Sequence, residues 1–462
     1  MSIQFKNLKA VQDEATKNLQ IKDTGPANPG SLATLKKQLQ AAKDKLPPNY
    51  HDAVYEPFMK LVNELTDSDF KKMSDPNSSL GFAVFDIAQA LIQVGSGYQK
   101  DATDAFEEVV SDLYDGFLSA EDRHNIKLPD YNVLPPLVKW GNPDFGPYTL
   151  TSDTTASFNI NCAIVNLPPS NAKGCLVGWG CLAHETAGHD ISHADEGLLK
   201  EMAKAISNAI KNDTKIKNTS VRNTLASYWG KRIDETASDI MGILNMGPAA
   251  SVAIIPYFRS IFAAFGNPPL LRSTGPANDE HPADILRVML GSSAVRLLSF
   301  SDHNNWADAI LEEGLKDLTT IVLNKSTQID QVSAQRSADT IARVIMQTEF
   351  KALDGHAIQE IQDWSDDDEK IVGELRKSLK KTITINTKIM EGAYAAHVVA
   401  ASIYEALLVK QDIAPLFDNM IKLLKKMHNY NPAWGPMYVI HPGDLKRNFI
   451  INNLQRKKIK KI

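Results

Sequence analysis

The chain has 462 residues, 43% of them apolar and 23% charged, which is typical of a globular protein and excludes wholesale disorder. Its formal net charge of -5 gives no electrostatic reason to expect nucleic acid as a partner. The N-terminus lacks the pattern of a secretory signal, no apolar run approaches about 20 residues, and the three cysteines cannot all pair with one another. The sequence therefore predicts a cytoplasmic protein that acts without a membrane.

The first part of the chain, to about residue 130, predicts mostly helix. One segment has apolar residues four positions apart, which form a single helix face: Ala105, Val109, Leu113 and Phe117. Pro and Gly at 22–31 predict a loop, and those at 128–147 disfavour a long helix there. We expect three regions, which are an N-terminal helical region at 1–140, a core region at 141–300 and a C-terminal helical region at 301–462.

The segment 155–167 alternates between apolar and polar residues, which predicts a half-buried strand. The apolar face of this strand would contain Phe158, Ile160, Cys162 and Ile164. Further helices are expected from about Leu182, at 196–211, at 223–244 and, as long amphipathic helices, after about residue 303. Together these patterns predict an α+β fold that is predominantly α-helical, with one small sheet beside the helices of the middle region.

The hexapeptide His184-Glu-Thr-Ala-Gly-His189 is the most informative segment of the sequence. In zinc-peptidase helices two histidines four residues apart bind the metal, and the Glu after the first histidine is the general base. Here the histidines are five apart, which on a regular helix turns their side chains about 140° away from each other. Both can bind one zinc ion only if the helix absorbs the extra residue, and Gly188 is where a bulge costs least.

A second motif, Asp234-Glu-Thr-Ala-Ser-Asp239, lies on a segment whose apolar residues indicate a buried helix. Glu235 and Asp239 are four apart and share one helix face. A zinc site with two histidines needs a third donor, often a carboxylate, and acceptors that orient the histidine rings. Glu235 suits the first task and Asp239 the second. The alternative is a solvated acidic face, although buried carboxylates are costly unless they are paired or bound to a metal.

The two motifs together resemble those of the gluzincins, zinc peptidases in which a His-Glu motif is followed by a Glu-x-x-x-Asp helix. Within that group they are most similar to the dipeptidyl-peptidase III family, whose first motif has the same extra residue. The resemblance implies a zincin-like core and one zinc ion per chain, held by His184, His189 and Glu235. It also implies Glu185 as the general base, with Asp234 and Asp239 at the family's other acidic positions. Ser238 and the shorter chain depart from that family, so its removal of dipeptides is not carried over.

The segment 279–287 is similar to the His-Pro segment, followed by Arg, of the CAAX-protease-like metallopeptidases. This resemblance implies that His281 and Arg287 line a substrate cleft. The same segment also suits the start of a helix, and the two interpretations are compatible. Peptide hydrolysis needs a donor for the developing oxyanion as well. His281 is the first candidate for that donor, and Tyr228, about two helical turns before Glu235, is the second.

The spacing of potential ligands along the sequence also allows other sets of metal ligands. Glu185, His189 and His193 are four apart and could bind a metal on a regular helix, although no general base would then remain. The thiols of Cys175 and Cys181 precede the first motif. Without a paired Cys-x-x-Cys they are more typical of small buried residues than of zinc ligands.

The sequence therefore predicts a zinc-dependent peptidase that acts on a peptide or protein substrate, with a metal-activated water and Glu185 as general base. In related peptidases a strand before the metal helix binds an extended substrate through its edge, and residues 158–165 are the candidate. Two alternative functions remain. One is a zinc hydrolase that cleaves another kind of bond, and the other is a helical scaffold protein with a structural or vestigial metal site.

Overall fold

The computed structural model describes residues 3–118, 126–127, 129–131, 134–160, 162–324, 326–380 and 393–429. Within these residues the fold is predominantly helical and contains two small mixed sheets. The α+β class that the sequence predicts is confirmed at this coarse level.

Helices form most of the described chain before the first strand. Ser31, Thr66 and Ser78 each begin a helix by accepting a hydrogen bond from a backbone N–H of its first turn, as N-cap residues do. The loop predicted at 22–31 is confirmed and lies between the first two helices. The helical segments are Leu8–Leu19, Leu32–Ala42, Lys43–Lys45, Pro48–Tyr50, His51–Tyr55, Glu56–Glu64, Asp67–Met73, Ser79–Ser96 and Lys100–Leu118.

Helices dominate again after the first sheet. The helix expected at 196–211 is confirmed with bounds shifted by one or two residues. The segments are Pro143–Phe145, Ser152–Ala156, Pro169–Lys173, Leu176–Gly180, Ala183–Asp190, Ile191–Ala194, Leu198–Asn212, Thr219–Gly230, Ile233–Met246, Pro248–Ala264, Asp284–Val295, His303–Leu315, Gln331–Gln347, Lys351–Leu353, Ile358–Ile361, Asp366–Leu379, Ala395–Leu408 and Ile413–His428.

The single helix expected over 223–244 is wrong, because two helices occupy this segment, Thr219–Gly230 and Ile233–Met246. The break falls at Arg232, whose guanidinium donates hydrogen bonds to two backbone carbonyls of the loop 276–281. The backbone of Arg232 is non-helical, with a φ of -113°, and its side chain connects the break to this loop. Asp234 and Glu235, the first two acidic residues of the second motif, therefore lie in the first turn of a new helix, where the helix dipole favours negative charge.

The first sheet has the strand order β1–β3–β2 and consists of β1 at Leu137–Trp140, β2 at Tyr148–Leu150 and β3 at Ile164–Leu167. β1 runs parallel to β3, with Leu137 opposite Ile164, and β2 runs antiparallel to β3, with Tyr148 opposite Asn166. β3 is therefore the central strand, and β2 forms one edge of the sheet.

The strand expected over 155–167 is shorter than its alternation indicated. Residues Ser152–Ala156 are helical, Asn159 has a left-handed backbone with a φ of 60°, and the strand begins only at Ile164. All four residues of β3 are buried, because both faces of the sheet are covered. The expectation that this strand offers its edge to a substrate is also wrong, since β3 is hydrogen-bonded on both sides.

The second sheet is smaller and has the strand order β4–β5–β6, with β4 at Thr274–Gly275, β5 at Ile321–Leu323 and β6 at Thr327–Ile329. β4 runs parallel to β5, and β5 and β6 form an antiparallel pair. The loop that follows β4 leads directly into the His-Pro segment of the sequence.

Two apolar clusters cover the first sheet. The smaller one is formed mainly by helices within 32–92 and includes Leu137 and Ile164, whereas the larger one includes Val138 and Val165. Successive residues of β1 and β3 thus face opposite clusters, as the pleat of a strand requires. The larger cluster combines residues from all three regions expected from the sequence, and the boundaries near 140 and 300 stay predictions.

Among the described residues one helix, Ser79–Ser96, is long and apolar enough to cross a membrane, with a mean hydropathy of 1.3. In the fold 67% of this helix is buried. Its residue Asp86 pairs with Lys139, and Gln93 exchanges hydrogen bonds with the backbone of Trp140. These buried polar contacts are typical of a helix within a protein core.

Candidate metal centre

The first motif lies on a π-helix, Ala183–Asp190. Hydrogen bonds in a π-helix join residues five apart, so side chains at a spacing of five come to the same side. The rings of His184 and His189 accordingly lie 4.7 Å apart between their centroids. The distortion that the sequence predicts is confirmed, and the chain returns to an α-helix at Ile191–Ala194.

Two glycines allow the π-helix to approach the second motif helix, Ile233–Met246, so closely that the backbones of the two helices are in contact. A Cβ on Gly188 would lie 2.4 Å from Ser238 Cα, and a Cβ on Gly242 would lie 3.0 Å from the carbonyl carbon of Ala183. Larger side chains at either position would push the helices apart. The close contact brings the carboxylates of the second motif up to the two histidines, a role of Gly188 that its place in the motif does not reveal.

The side chains of His184, His189 and Glu235 converge and form a metal group, a set of three ligands that could hold one metal ion. Nε2 of His184 is 3.3 Å from Glu235 Oε2, and Nε2 of His189 is 3.3 Å from Glu235 Oε1. A tetrahedral zinc ion with bonds of about 2.0–2.1 Å separates its ligand atoms by roughly 3.3–3.4 Å. The two nitrogen–oxygen distances match that separation, and one ligand atom from each of the three side chains lies within 4.8 Å of the others. Its side chains remain 11% to 14% exposed, so one side is open to solvent.

The surroundings of this metal group favour a cation. Glu235 Oε2 is buried and accepts no hydrogen bond from the described residues. Two nitrogens lie near this oxygen, His184 Nε2 at 3.3 Å and Arg287 Nη1 at 3.8 Å, and a bound cation would supply the direct partner that the oxygen lacks. The nitrogen and oxygen donors suit zinc among the divalent metals. Four carboxylates lie in or beside the group, those of Glu185, Asp234, Glu235 and Asp239. The guanidinium of Arg287, which is always charged, balances part of this negative charge.

In each histidine of the metal group, Nε2 faces the centre of the group and the Nδ1–H donates a hydrogen bond to a carboxylate. Nδ1 of His184 lies 2.9 Å from Asp239 Oδ1, and Nδ1 of His189 lies 2.9 Å from Asp234 Oδ1. These hydrogen bonds place a proton on Nδ1 and direct the lone pair of Nε2 towards the centre of the group, as metal-ligating histidines require. The structure thus brings both acidic residues to the supporting positions that the sequence assigns to them.

The histidines and carboxylates of the metal group shift one another's pKa values. Burial disfavours the charged form of His184 and His189, yet the adjoining carboxylates raise the pKa of both imidazoles. Burial likewise favours the neutral form of Glu235, but the two imidazoles hold the pKa of this carboxyl well below its usual range. Ligand nitrogens bind a metal only when deprotonated, so a metal that binds here replaces protons.

Arg287 supports the metal group from its buried side. Its Nε and Nη2 donate to the two oxygens of Asp239 at 2.8 and 2.6 Å, and its Nη1 is 3.8 Å from Glu235 Oε2. This bidentate contact fixes the plane of the Asp239 carboxylate. The resemblance implies an arginine that lines an open cleft, whereas the structure places this side chain behind the carboxylates with 6% exposure.

Glu185 is buried beside the metal group and is held by the first sheet. The hydroxyl of Thr149, in the middle of β2, lies 2.9 Å from Glu185 Oε2 and 3.0 Å from the Glu185 backbone carbonyl oxygen, so its single hydrogen is shared between these two acceptors. The edge strand therefore orients the carboxylate that the sequence assigns as general base. Sequence reasoning missed Thr149 because the contact joins residues 36 positions apart and belongs to no motif.

His281 lies at the open side of the metal group. Its Nε2 is 3.4 Å from Glu235 Oε1, and 53% of its side chain is exposed. Its backbone N–H donates to Asp279 at 3.0 Å, and its carbonyl accepts from Arg232 at 3.4 Å. The structure thus brings His281 to the group in a position from which it can reach a substrate. Arg232, which holds this loop, carried no signal in the sequence.

Tyr228 lies behind the loop that carries His281. Its hydroxyl accepts a hydrogen bond from the Ala283 N–H at 2.9 Å, and its ring lies against the Arg232 guanidinium at 3.8 Å. The side chain is fully buried, and a Cβ on Gly275 would lie 2.0 Å from its hydroxyl. The two-turn spacing that suggested Tyr228 as an oxyanion donor is lost at the helix break. Its hydroxyl is instead placed to anchor the loop.

His193, which belongs to the alternative ligand set, directs both ring nitrogens away from the metal group. Its Nε2 lies 3.1 Å from Asp234 Oδ2, and its Nδ1 lies 3.1 Å from Asp153 Oδ2. Cys175 and Cys181 are free, and burial raises the pKa of both thiols. Among the described residues, neither thiol belongs to the group that could hold a metal ion, so the geometry favours the set built on the two motifs.

Comparison with known proteins gives no match that could indicate a family. The chain matches no protein-family model, no curated protein and no solved structure. The gluzincin resemblance therefore rests on the motifs, and the function is argued from the chemistry and geometry of the site.

Proposed function

We propose that the protein is a zinc-dependent peptidase with a gluzincin-type site in a zincin-like core. The convergence of His184, His189 and Glu235 carries the proposal. Structural zinc sites are almost always closed by four protein ligands, whereas catalytic sites combine three protein ligands with an open position. Glu185 is buried next to the first ligand, where a general base is useful and a structural site would need none.

The roles of the chain's own residues follow from their positions. A zinc ion held by His184, His189 and Glu235 would supply a water of lowered pKa and an electrophile for the scissile carbonyl. Glu185 takes a proton from the attacking water and returns it to the leaving amine, while Thr149 keeps the carboxylate oriented. His281 donates to the developing oxyanion from the open side. Asp234 and Asp239 hold the ligand rings in place.

An extended peptide is the substrate class that suits the sheet beside the site. β2 is an edge strand, and Thr149 at its centre contacts Glu185. A peptide that pairs with the outer edge of β2 passes beside the general base, and main-chain hydrogen bonds bind it with little demand on its sequence. We therefore assign to β2 the substrate edge that sequence reasoning assigned to 158–165.

Metal content and turnover of two glutamate variants test the proposal. Wild-type protein is expected to hold one zinc ion per chain and to cleave members of a mixed peptide library, with the products identified by mass spectrometry. Glu185→Gln should keep its zinc and lose turnover by on the order of 100-fold or more, because the ligands remain and the base is removed. Glu196→Gln changes an exposed glutamate further along the chain and should retain both properties.

Each part of the proposal can fail separately. Wild-type protein that holds no zinc contradicts the metal site and favours a scaffold. A zinc-loaded protein that cleaves esters or other small substrates but no peptide contradicts the peptide substrate. Undiminished turnover by Glu185→Gln contradicts the assigned base.

A further inference from the structure

His193 and Asp153 extend the hydrogen bonds of the metal group towards the surface. Asp234 accepts from His189 through Oδ1 at 2.9 Å and from His193 through Oδ2 at 3.1 Å. The second nitrogen of His193 lies 3.1 Å from Asp153 Oδ2. Burial opposes the charged form of His193, but the two carboxylates raise its pKa to about 9. The imidazolium can therefore donate to both carboxylates at once.

The two ligand histidines are supported by the same succession of groups. Each of these two branches consists of a ligand imidazole, a carboxylate and a cation, which are His184, Asp239 and Arg287 in one and His189, Asp234 and His193 in the other. The first branch is buried, whereas the Asp234 side chain is 42% exposed. Water competes for a carboxylate in that position, so its orientation depends on a second protein contact.

The end of the π-helix explains how His193 reaches this position. The chain is α-helical at Ile191–Ala194, which places His193 one turn beyond His189. Asp234 lies in the first turn of the second motif helix, from which its two oxygens reach His189 and His193. The spacing of four between the histidines is typical of two metal ligands. In this fold it lets two histidines hold one carboxylate from both sides.

We propose that His193, anchored by Asp153, is a positioning residue that fixes Asp234 and, through it, the ring of His189. The inference rests on the metal site of the proposed function and is independent of the reaction. Loss of a group that orients a metal-ligating histidine typically weakens metal binding about 10- to 100-fold. Because His193 acts through Asp234, we expect its loss to lie near the lower end, at about 10-fold.

Zinc dissociation constants, measured by competition with a chromophoric chelator, test this proposal. His193→Gln should bind zinc about 10-fold more weakly than wild type, and Asp153→Asn should shift affinity in the same direction. In an Asp234→Asn background, His193→Gln should add no further loss, because its effect passes through that carboxylate. His356→Gln is the matched control, since this histidine also pairs with a carboxylate, that of Glu360 at 3.2 Å, but lies outside the metal group.

The visible spectrum of the Co²⁺-substituted protein provides a readout that a merely structural role would not move. It should change in His193→Gln and remain unchanged in His356→Gln, because the spectrum reports ligand geometry. If His193→Gln does not fold, Asp153→Asn carries the same test.

Three outcomes overturn the inference. Unchanged zinc affinity in His193→Gln, with zinc bound by wild type, overturns it and leaves the proposed function standing. If His193→Gln still weakens zinc binding 10-fold in the Asp234→Asn background, His193 does not act through Asp234. Absence of zinc binding in wild type overturns both proposals.

Discussion

Thr149 and Glu185 form a pair that illustrates how single hydrogen bonds prepare the site. The hydroxyl can donate to Oε2 at 2.9 Å or to the Glu185 carbonyl oxygen at 3.0 Å, and a hydrogen bond to a charged group contributes up to about 1.5–3 kcal/mol. Glu185 is not a ligand in the metal group, so this contact can affect proton transfer without affecting the metal. The residues that orient a base and those that bind a metal are therefore separable by mutation.

Thr149→Val should lower kcat by about 10-fold, because valine keeps the shape of threonine and removes the hydroxyl that orients Glu185. Zinc content should stay at the wild-type value, since the metal group is untouched. Steady-state kinetics on a peptide identified from the library, together with metal analysis, measure both quantities. Thr149→Ser retains a hydroxyl and serves as the control. Loss of zinc in the valine variant would show that Thr149 supports the metal group instead.

At the level of secondary structure, the contact between the π-helix and the second motif helix decides whether the site exists. Gly188 lies against Ser238 so closely that a Cβ would be 2.4 Å from Cα and 2.8 Å from the carbonyl oxygen. Backbone atoms cannot swing aside as the end of a flexible side chain can. The helices therefore reach their observed separation only with glycine at this position.

Gly188→Ala should lower the free energy of unfolding by about 2 kcal/mol or more, since the added methyl group overpacks a backbone contact. It should also abolish zinc binding, because the carboxylates would move away from the histidines. Denaturant unfolding and metal analysis measure the two effects. Gly373→Ala is the matched control, since a Cβ there meets nothing within 4 Å on a helix, and it should be neutral or stabilising. A Gly188→Ala protein with normal stability and zinc would contradict the argument.

The sequence predicts the helix at 196–211 more accurately than the break near Arg232 or the strand at 155–167, and each outcome has its own physical reason. The helix at 196–211 was predictable because its period of apolar residues matches one buried face. Periodicity alone does not locate the break after Gly230, because the apolar pattern continues on both sides of it, and the contacts of Arg232 with the loop 276–281 belong to no local pattern. The strand is shorter than the predicted 155–167 because the helix Ser152–Ala156 and the left-handed residue Asn159 occupy the first part of that segment, which alternation of apolar residues does not distinguish from a strand.

Across the whole molecule, the larger apolar cluster connects both motif helices to helices near each end of the described chain. The metal group thus lies in the same core that holds the fold together. A ligand that binds only the folded state stabilises it, by about 2.7 kcal/mol at a free concentration 100 times the dissociation constant. Zinc binding and global stability should therefore be coupled.

Removal of zinc with a chelator should lower the melting temperature of the wild-type protein, and addition of zinc should restore it, because the metal binds the native arrangement of ligands. Differential scanning calorimetry before and after chelation measures the shift. A variant that combines His184→Ala with His189→Ala should melt at the same temperature with and without zinc. A wild-type melting temperature that does not respond to either treatment would contradict the coupling.

The candidate ligands and base were predictable from the two motifs, because ligand chemistry belongs to side-chain types and the spacing of five required a local distortion. The supporting carboxylates followed from the same reasoning. Thr149, Arg232 and the anchoring of Asp234 by His193 could not be predicted, nor could the buried position of Arg287. These features depend on contacts between residues distant in sequence, and such contacts arise only when packed helices and strands bring them together.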